Sequence, residues 1–266
     1  MKTPLTYYGG KQQLSATILA LIPEHKAYVE PFAGGAAIYF AKEPAVCEVI
    51  NDTNGELVNF YEVMKRDFSA LQSEIEVSLH SRRQHRQAQV IYANPDMFDR
   101  VKRAWAIWML SNTSYRARLD NGFGYDRKGK VSGKLTNKRD SFTAEYGARL
   151  QNTQIEYCDA LRIIRSRDTP ETFFYCDPPY VGADQGHYDG YTQEDFDGLL
   201  DALASIQGKF LLSSYRNKAL TAFVEKQGWD SVEIRMSLNM SNNHTPRAKI
   251  EVLAANYPIE DKIKAV

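Results

Sequence analysis

The amino-acid sequence predicts an α/β fold in which a mainly parallel sheet ends in an antiparallel C-terminal pair of strands and is interrupted by a helical and hairpin module. Two observations carry this prediction. Short apolar strands alternate with amphipathic helices in the first and last parts of the 266-residue chain, which is typical of a parallel sheet. Between residues 66 and 150 the alternation stops, so we expect one α/β domain over residues 1–65 and 151–266 with an inserted module over 66–150.

Two strand–helix units are predicted near the N-terminus. Each strand is a short apolar run that closes on turn residues, Gly34-Gly35 in the first unit and Asn51-Asp52 in the second. Thr53 or Asn54 is expected to cap the second helix, whose apolar residues share one face. The predicted elements are strand 27–32, helix 36–42, strand 46–50 and helix 56–65.

The inserted module and the second part of the chain follow similar patterns. The module has helical periods over 67–79 and 96–112, and then short β-like pieces within residues 112–138. The last two apolar runs are joined by too few residues for a crossover helix, which makes these two strands antiparallel. The elements predicted after the module are strands 154–158, 172–176, 209–214, 231–238 and 249–257 and a helix over 192–204.

Charge is balanced over the whole chain but not along it. The sequence has 33 basic and 33 acidic residues, which disfavours a protein that coats nucleic acid through its overall charge. Residues 80–140, however, contain fourteen Lys or Arg and five Asp or Glu. This basic block is either a solvated surface or a local contact for phosphate groups.

Membrane-spanning, disulfide-bonded and metal-binding proteins are not expected. The longest strongly apolar run, residues 104–110, is far shorter than the roughly 20 residues of a membrane span. The three cysteines are odd in number and widely spaced, so we expect a reduced, cytoplasmic protein without disulfides. The histidines have no metal-ligand spacing and are expected at surfaces or turns. They are His25, His80, His85, His187 and His244.

Three predicted strands end in an acidic residue, namely Asp52, Asp159 or Asp177. In an open α/β sheet ligands bind outside the carboxyl ends of the strands, so these acids and the Gly34-Gly35 turn indicate one pocket. Neither this turn nor Gly9-Gly10-Lys11 has the pattern of a dinucleotide or triphosphate loop. An acid 18 residues after Gly34 suits a ribose, which indicates either a nucleoside site or an ordinary tight connection.

The sharpest feature is Asp177-Pro178-Pro179-Tyr180, which directly follows an apolar strand. Two prolines can simply stop a strand. At the carboxyl end of a strand they also fix a carboxylate, a backbone carbonyl and an aromatic ring around one point. An aromatic amine is a poor nucleophile, because its lone pair is delocalised into the ring. The Asp177 carboxylate and Pro178 carbonyl can accept its two hydrogens while Tyr180 stacks on the ring, which predicts transfer of an electrophilic methyl group to such an amine. Residues 182–191 follow as a lid or a connection.

Together these motifs resemble those of S-adenosylmethionine-dependent DNA adenine N6-methyltransferases of the D12 class, or alpha group. The resemblance covers most of the chain and has the motif order of the adenine enzymes, with a cofactor loop, a long insertion and the catalytic tetrapeptide. It implies a Rossmann-like methyltransferase sheet and S-adenosyl-L-methionine as cofactor. The catalytic residues that it implies are Asp177, Pro178, Pro179 and Tyr180. The cofactor-binding residues that it implies are Tyr7, Lys11, Glu30, Pro31, Phe32, Gly34, Asp52, Asp159 and Asp177.

The resemblance also implies double-stranded DNA as the partner, with the target adenine flipped out and the basic block as the recognition module. A hairpin in that block is expected to enter the DNA, and neither a membrane nor an obligate protein partner is expected. Arg116 and Arg118 are candidates for either guanine edges or phosphates. The DNA-binding residues predicted are Tyr115, Arg116, Arg118, Asn121, Phe123, Tyr125, Arg127 and Lys128.

Two kinds of alternative stay open at this point. Related tetrapeptides serve other amine acceptors, so cytosine N4, an RNA adenine or a glutamine side chain could be the methylated group. A catalytically inactive DNA-binding relative is the other alternative, although the intact Lys11, Asp52 and Asp177 argue against it.

Overall fold

One mixed sheet organises the protein. The computed structural model describes residues 1–182, 190–236 and 249–260. Within them, seven strands form one sheet in the order β3-β2-β1-β4-β5-β7-β6. The first five strands in this order are parallel, and β7 is antiparallel to both of its neighbours. The strands are β1 Ala27–Glu30, β2 Cys47–Asn51, β3 Thr153–Glu156, β4 Thr172–Cys176, β5 Lys209–Tyr215, β6 Asp230–Met236 and β7 Lys249–Ala255.

The predicted α/β class and the antiparallel C-terminal pair are confirmed. Residues 183–189 of the predicted lid or connection, and residues 237 and 238 of the predicted strand 231–238, lie outside the described residues. No helix in the described ranges is long and apolar enough to cross a membrane. The α-helices are α1 Ser15–Leu21, α2 Ala37–Ala41, α3 Gly55–Arg66, α4 Phe68–Glu76, α5 Arg82–Ala93, α6 Arg100–Thr113, α7 Lys130–Asp140, α8 Glu145–Leu150, α9 Ala160–Arg167, α10 Gln193–Ser205 and α11 Lys218–Gln227.

Side-chain caps fix the starts of the helices that flank the sheet. The Asn54 side chain accepts hydrogen bonds from the backbone N–H groups of Glu56 and Leu57, so Asn54, one of the two predicted candidates, caps α3. Thr192 caps α10 through a reciprocal capping box with Asp195. These caps satisfy N–H groups that the first turn of a helix leaves without a partner.

Short β-like pieces are predicted within residues 112–138, and the helix α7 over residues 130–138 of that stretch is not predicted. The Asp126 carboxylate accepts hydrogen bonds from the backbone N–H groups of Lys128, Lys130 and Val131, at 2.6, 3.2 and 2.7 Å. A carboxylate at this position stabilises the first turn of a helix, and Leu135 then anchors the helix in the core. The Gly- and Lys-rich sequence hides this helix, because only one of its residues is buried.

Two apolar clusters cover the two faces of the sheet. Neighbouring strand residues alternate between them, so Tyr28 belongs to one cluster and Val29 to the other. The first cluster continues from the sheet through α3 into α6, where Trp108 is fully buried. Part of the inserted segment therefore shares its core with the sheet, although it lies outside the α/β alternation.

The strand order places a switch point between β1 and β4. From β1 the chain continues to β2 on one side, and from β4 it continues to β5 on the other. The helices that follow these strands leave a crevice outside the carboxyl ends of β1 and β4, the usual ligand position in such sheets. Glu30 ends β1 and Asp177 follows β4, so both residues lie at this crevice.

Candidate active site

A cavity of about 1150 Å³ opens at the carboxyl edge of the sheet. It brings together residues that are far apart in the chain, from the N-terminal segment to β7. Every residue predicted to act in catalysis or to bind the cofactor lines this cavity. They are Tyr7, Lys11, Glu30, Pro31, Phe32, Gly34, Asp52, Asp159, Asp177, Pro178, Pro179 and Tyr180.

Lys11 and Asp177, which both line this cavity, form an ion pair. The Lys11 Nζ atom donates to both Asp177 carboxylate oxygens, at 2.7 and 2.8 Å, and to the Gly9 carbonyl at 3.1 Å. Burial alone lowers the pKa of Lys11, but the nearby charges of Asp177 and Glu251 outweigh it, so the pKa is raised. Lys11 is therefore a fixed positive charge beside the tetrapeptide.

Burial has the opposite effect on the carboxylate of this pair. It raises the pKa of Asp177, and the Lys11 charge and hydrogen bond counteract only part of that change. The Asp177 side chain is 19% exposed, so its carboxylate faces the cavity. Each Asp177 oxygen has a second lone pair besides the one facing Lys11, so the geometry suits a group that accepts a hydrogen bond from a ligand.

The Tyr180 hydroxyl connects two carboxylates. Its oxygen lies 3.0 Å from Asp177 Oδ1 and within hydrogen-bond distance of Glu251 Oε1, so its hydrogen can be donated to either carboxylate. Its ring meets the Tyr215 ring edge to face, with centroids 4.3 Å apart. Burial, followed by the charges of Asp177 and Glu251, raises the pKa of Tyr180 well above that of a free phenol, so the hydroxyl keeps its proton.

Glu30 is a buried carboxyl at the end of β1, only 2% exposed. Among the described residues its Oε2 atom has no hydrogen-bond partner. Burial and then the Asp177 charge raise the pKa of Glu30 well above its usual range. An unsatisfied buried carboxyl oxygen is costly, so its presence in a cavity wall points to a ligand that donates a hydrogen bond or carries positive charge.

The glycine turn after β1 is held from two sides. The Gly34 N–H donates to Asp52 Oδ2 at 2.8 Å, and the Tyr61 hydroxyl donates to the Gly34 carbonyl at 2.6 Å. Gly34 has a φ of +48°, and a Cβ atom there would lie 2.9 Å from the Tyr7 ring. Glycine is therefore required at this position, because both the backbone conformation and the approach of Tyr7 exclude a side chain.

Asp159 has a clear local role as well as a place in the cavity wall. Its Oδ1 atom accepts hydrogen bonds from the N–H groups of Leu161 and Arg162, at 2.9 and 3.1 Å, and thus caps α9. Asp52 likewise accepts a hydrogen bond from the Asn54 N–H, at 2.8 Å. Each carboxylate has further acceptor capacity, so these contacts leave room for a ligand.

The expected hairpin is a loop closed by one antiparallel bridge, between Ser114 and Phe123. Within it the chain makes a 3-10 turn in which Arg116 and Ala117 both have a φ of +57°. The Asn121 side chain makes a hydrogen bond within the loop, since its amide donates to the Tyr115 carbonyl at 3.0 Å. A two-stranded ladder does not form there, because the turn takes up the residues that would pair.

The side chains predicted to contact DNA divide into two groups. Phe123 stacks on His80 with centroids 4.5 Å apart, and Arg118 pairs with Asp120 at 2.9 Å, so both have contacts within the protein. Tyr115 and Tyr125 are 58% and 69% exposed. Arg116, Arg127 and Lys128 are exposed too.

The expectation that the histidines lie at surfaces or turns is wrong for His85, which is 1% exposed. Its Nε2 atom lies 3.0 Å from the Ser114 hydroxyl, so it anchors the start of the loop. The pattern of α5 conceals this, because polar residues surround the buried position. His187 and His244 are outside the described residues.

Two residues of the site were not predicted from the sequence, Glu251 and Ser213. Both are buried, and the Ser213 hydroxyl donates to Glu251 Oε1 at 2.8 Å. A signal for Glu251 is present in the sequence, since it is a lone carboxylate within the apolar strand that became β7. Such a charge in a buried strand indicates a partner, but not which one.

Comparison with known proteins gives a consistent result. The sequence model of the family described as D12 class N6 adenine-specific DNA methyltransferase matches residues 7–238. The chain is 27% identical over 279 residues to the type II methyltransferase M1.LlaDCHI of Lactococcus lactis subsp. cremoris, which covers 94% of this chain and 93% of that protein. It is 28% identical over 224 residues to the type II methyltransferase M.MjaIII of Methanocaldococcus jannaschii, covering 74% and 75% of the two chains. It is 23% identical over 273 residues to the DNA adenine methylase of Salmonella typhi, covering 95% and 94%.

Proposed function

Because the chain belongs to the family of D12 class N6 adenine-specific DNA methyltransferases, we propose that its cavity holds S-adenosyl-L-methionine together with one adenine flipped out of double-stranded DNA. The cavity of about 1150 Å³ is larger than the roughly 300 to 1,000 Å³ of common small-molecule sites, so it has room for two ligands.

Three features of the cavity wall support the cofactor. The Glu30 Oε2 atom, which has no hydrogen-bond partner in the part of the chain that the structure describes, suits the ammonium group of a methionine moiety. Asp52 lies at the end of β2, where a carboxylate can accept hydrogen bonds from ribose hydroxyls. The Gly34 turn keeps the backbone free of a side chain beside Tyr7. When bound, the cofactor supplies a methyl group attached to a positively charged sulfur.

The tetrapeptide supports the proposal that an adenine amine is the methyl acceptor. The Asp177 carboxylate and the Pro178 carbonyl can accept the two N–H hydrogens of the adenine amine and make its nitrogen more electron-rich as it attacks. Lys11 donates once to each Asp177 oxygen, so a carboxylate lone pair remains for the amine. The fixed loop then holds the amine in line with the methyl group, and positioning supplies much of the rate.

The basic block supports DNA as the partner. Exposed cations of α5 and of the loop before α7 can neutralise phosphates, which supplies most non-specific affinity for DNA. The exposed rings of Tyr115 and Tyr125 lie on the same module, where one of them could stack in the place that the flipped base leaves. The DNA-recognition module proposed here comprises residues 66–150.

The observation that carries the proposal is the Lys11–Asp177 pair in the wall of the cavity, directly after β4. The test incubates the purified protein with methyl-labelled S-adenosyl-L-methionine and unmethylated duplex DNA, followed by digestion to nucleosides. Label is expected in N6-methyladenine, and Asp177→Ala should slow its formation by about 10²-fold to 10³-fold. Asp201→Ala, at an exposed position of α10, is the matched control and should retain activity.

Several results would contradict the proposal. Label in N4-methylcytosine, or transfer to RNA but not to DNA, would assign a different acceptor. A folded protein that fails to bind the cofactor would point to an inactive DNA-binding relative.

A further inference from the structure

A second carboxylate, that of Glu251, contacts Tyr180 of the tetrapeptide. Glu251 lies on β7, opposite Tyr215 of β5, and is 3% exposed. Three donors converge on its Oε1 atom: the Ser213 hydroxyl at 2.8 Å, the Tyr180 hydroxyl, and the Lys11 Nζ atom at 3.5 Å. Two of these three groups also contact Asp177.

We propose that Glu251 is a positioning residue that draws the Tyr180 hydroxyl hydrogen and part of the Lys11 charge away from Asp177, so that Asp177 can accept the N–H of the target amine. This inference rests on the proposed function, and it concerns a residue outside the tetrapeptide. Glu251 itself need not touch either substrate, since it acts through Tyr180 and Lys11.

The Tyr180 hydroxyl faces two carboxylates with one hydrogen. A phenol hydroxyl has a single hydrogen, so Tyr180 cannot donate fully to both carboxylates. Its oxygen lies within hydrogen-bond distance of both carboxylates. Lys11 is 2.7 Å from Asp177 but 3.5 Å from Glu251, so Glu251 keeps more of its charge and attracts the hydrogen. Without the charge of Glu251, that hydrogen would turn to Asp177.

Hydrogen-bond donors compete for the Asp177 carboxylate. Lys11 already occupies one site on each Asp177 oxygen. A Tyr180 hydrogen added to Oδ1 would fill a further site and reduce the negative charge offered to the amine. In this buried setting, where the dielectric constant is low, such donors compete strongly. Glu251 therefore controls how good an acceptor Asp177 can be.

The test uses Glu251→Gln, which keeps the shape of the side chain and removes its charge. Single-turnover methyl transfer is expected to slow by about 10-fold to 100-fold, as for a hydrogen bond to a charged group. Cofactor affinity should stay within a few-fold of the parent, because Glu251 acts on the acceptor and not on the cofactor.

The decisive readout is suppression by a second change. Tyr180→Phe alone should slow transfer by less than Glu251→Gln does, because it keeps the ring. Adding Tyr180→Phe to Glu251→Gln should restore about 10-fold of the lost rate, since no phenol hydrogen is left to occupy Asp177. Tyr215→Phe in the Glu251→Gln background is the matched control, and no recovery is expected there. A merely structural role for Glu251 gives no such recovery.

The outcomes separate this inference from the proposed function. If the parent protein transfers no methyl group to adenine, the proposed function fails. If the parent is active and Glu251→Gln equals it, or if the losses of Glu251→Gln and Tyr180→Phe simply multiply, the inference about Glu251 is overturned. Should Glu251→Gln not fold, Glu251→Asp keeps the charge but draws it away from the Tyr180 hydroxyl, and the same loss and recovery are expected.

Discussion

The Lys11 ammonium contacts both oxygens of the Asp177 carboxylate, although 166 residues separate the two in the chain. The contact joins the N-terminal segment to the loop after β4 across the carboxyl edge of the sheet. It also gives Lys11 control over the charge of the group that has to accept the target amine.

Lys11→Met is expected to move the acidic limb of the pH–rate profile to higher pH. Burial raises the pKa of Asp177 and Lys11 opposes that rise, so removal of Lys11 raises the pKa further. Only the ionised carboxylate can accept both the hydrogen bond and the developing charge. Single-turnover rates measured from acidic to neutral pH would detect the shift. Lys26→Met, at an exposed lysine, is the control, and identical profiles for Lys11→Met and the parent would refute this role.

Asp52→Ala is expected to weaken cofactor binding by about 10-fold to 150-fold, the range for loss of a hydrogen bond to a charged group. DNA affinity should change much less. Because Asp52 also holds the Gly34 N–H, Thr3→Val is the matched control, since it loosens the same turn at Gly35 and leaves the Asp52 carboxylate in place. Calorimetry should give a much larger loss for Asp52→Ala, and equal losses would mean that Asp52 acts only on the loop.

Glu30→Gln is expected to weaken cofactor binding by about 10-fold to 150-fold and to stabilise the cofactor-free protein at alkaline pH. The folded-state pKa of Glu30 is raised by burial and the Asp177 charge, so the folded state holds this proton more tightly than the unfolded state. The resulting stability is present below the unfolded pKa and is lost as pH rises through the folded pKa. Glutamine has no such proton, so melting temperatures of variant and parent should diverge as pH rises. Parallel melting curves at every pH would show that Glu30 has the same pKa in the folded and the unfolded protein.

Arg116 and Arg118 are expected to differ in their effect on DNA. Arg116 is exposed at the tip of the loop, whereas Arg118 is already paired with Asp120. We expect Arg116 to contact a guanine edge, so Arg116→Ala should cost about 1 to 3 kcal/mol on the preferred site and little on random duplexes. A uniform loss on all sequences, with a salt slope smaller by about one, would instead mean a phosphate contact. If Arg116→Ala and Arg118→Ala both bind and methylate DNA as the parent does, the loop is not the element that reads the sequence.

The sequence alone determined the elements whose signals are local. Each strand at the cavity is an apolar run that ends in turn residues, and Asn54 and Thr192 cap the helices that follow. The tetrapeptide after β4 was visible for the same reason, because four adjacent residues need no tertiary information to be recognised. α7 was missed because Asp126, which fixes its first turn, lies outside the helix in a stretch rich in turn residues.

The tertiary structure decided which of these residues meet. Strand order brings Glu30 of β1 beside Asp177 after β4, and the antiparallel β7 brings Glu251 up behind both Lys11 and Tyr180. No local pattern encodes such contacts, since they depend on how strands pair across long stretches of chain. The charge states depend on them as well, because burial and neighbouring charges are properties of the packed protein. The sequence therefore determined the chemical groups of the site, while the fold determined how they share hydrogens and charge.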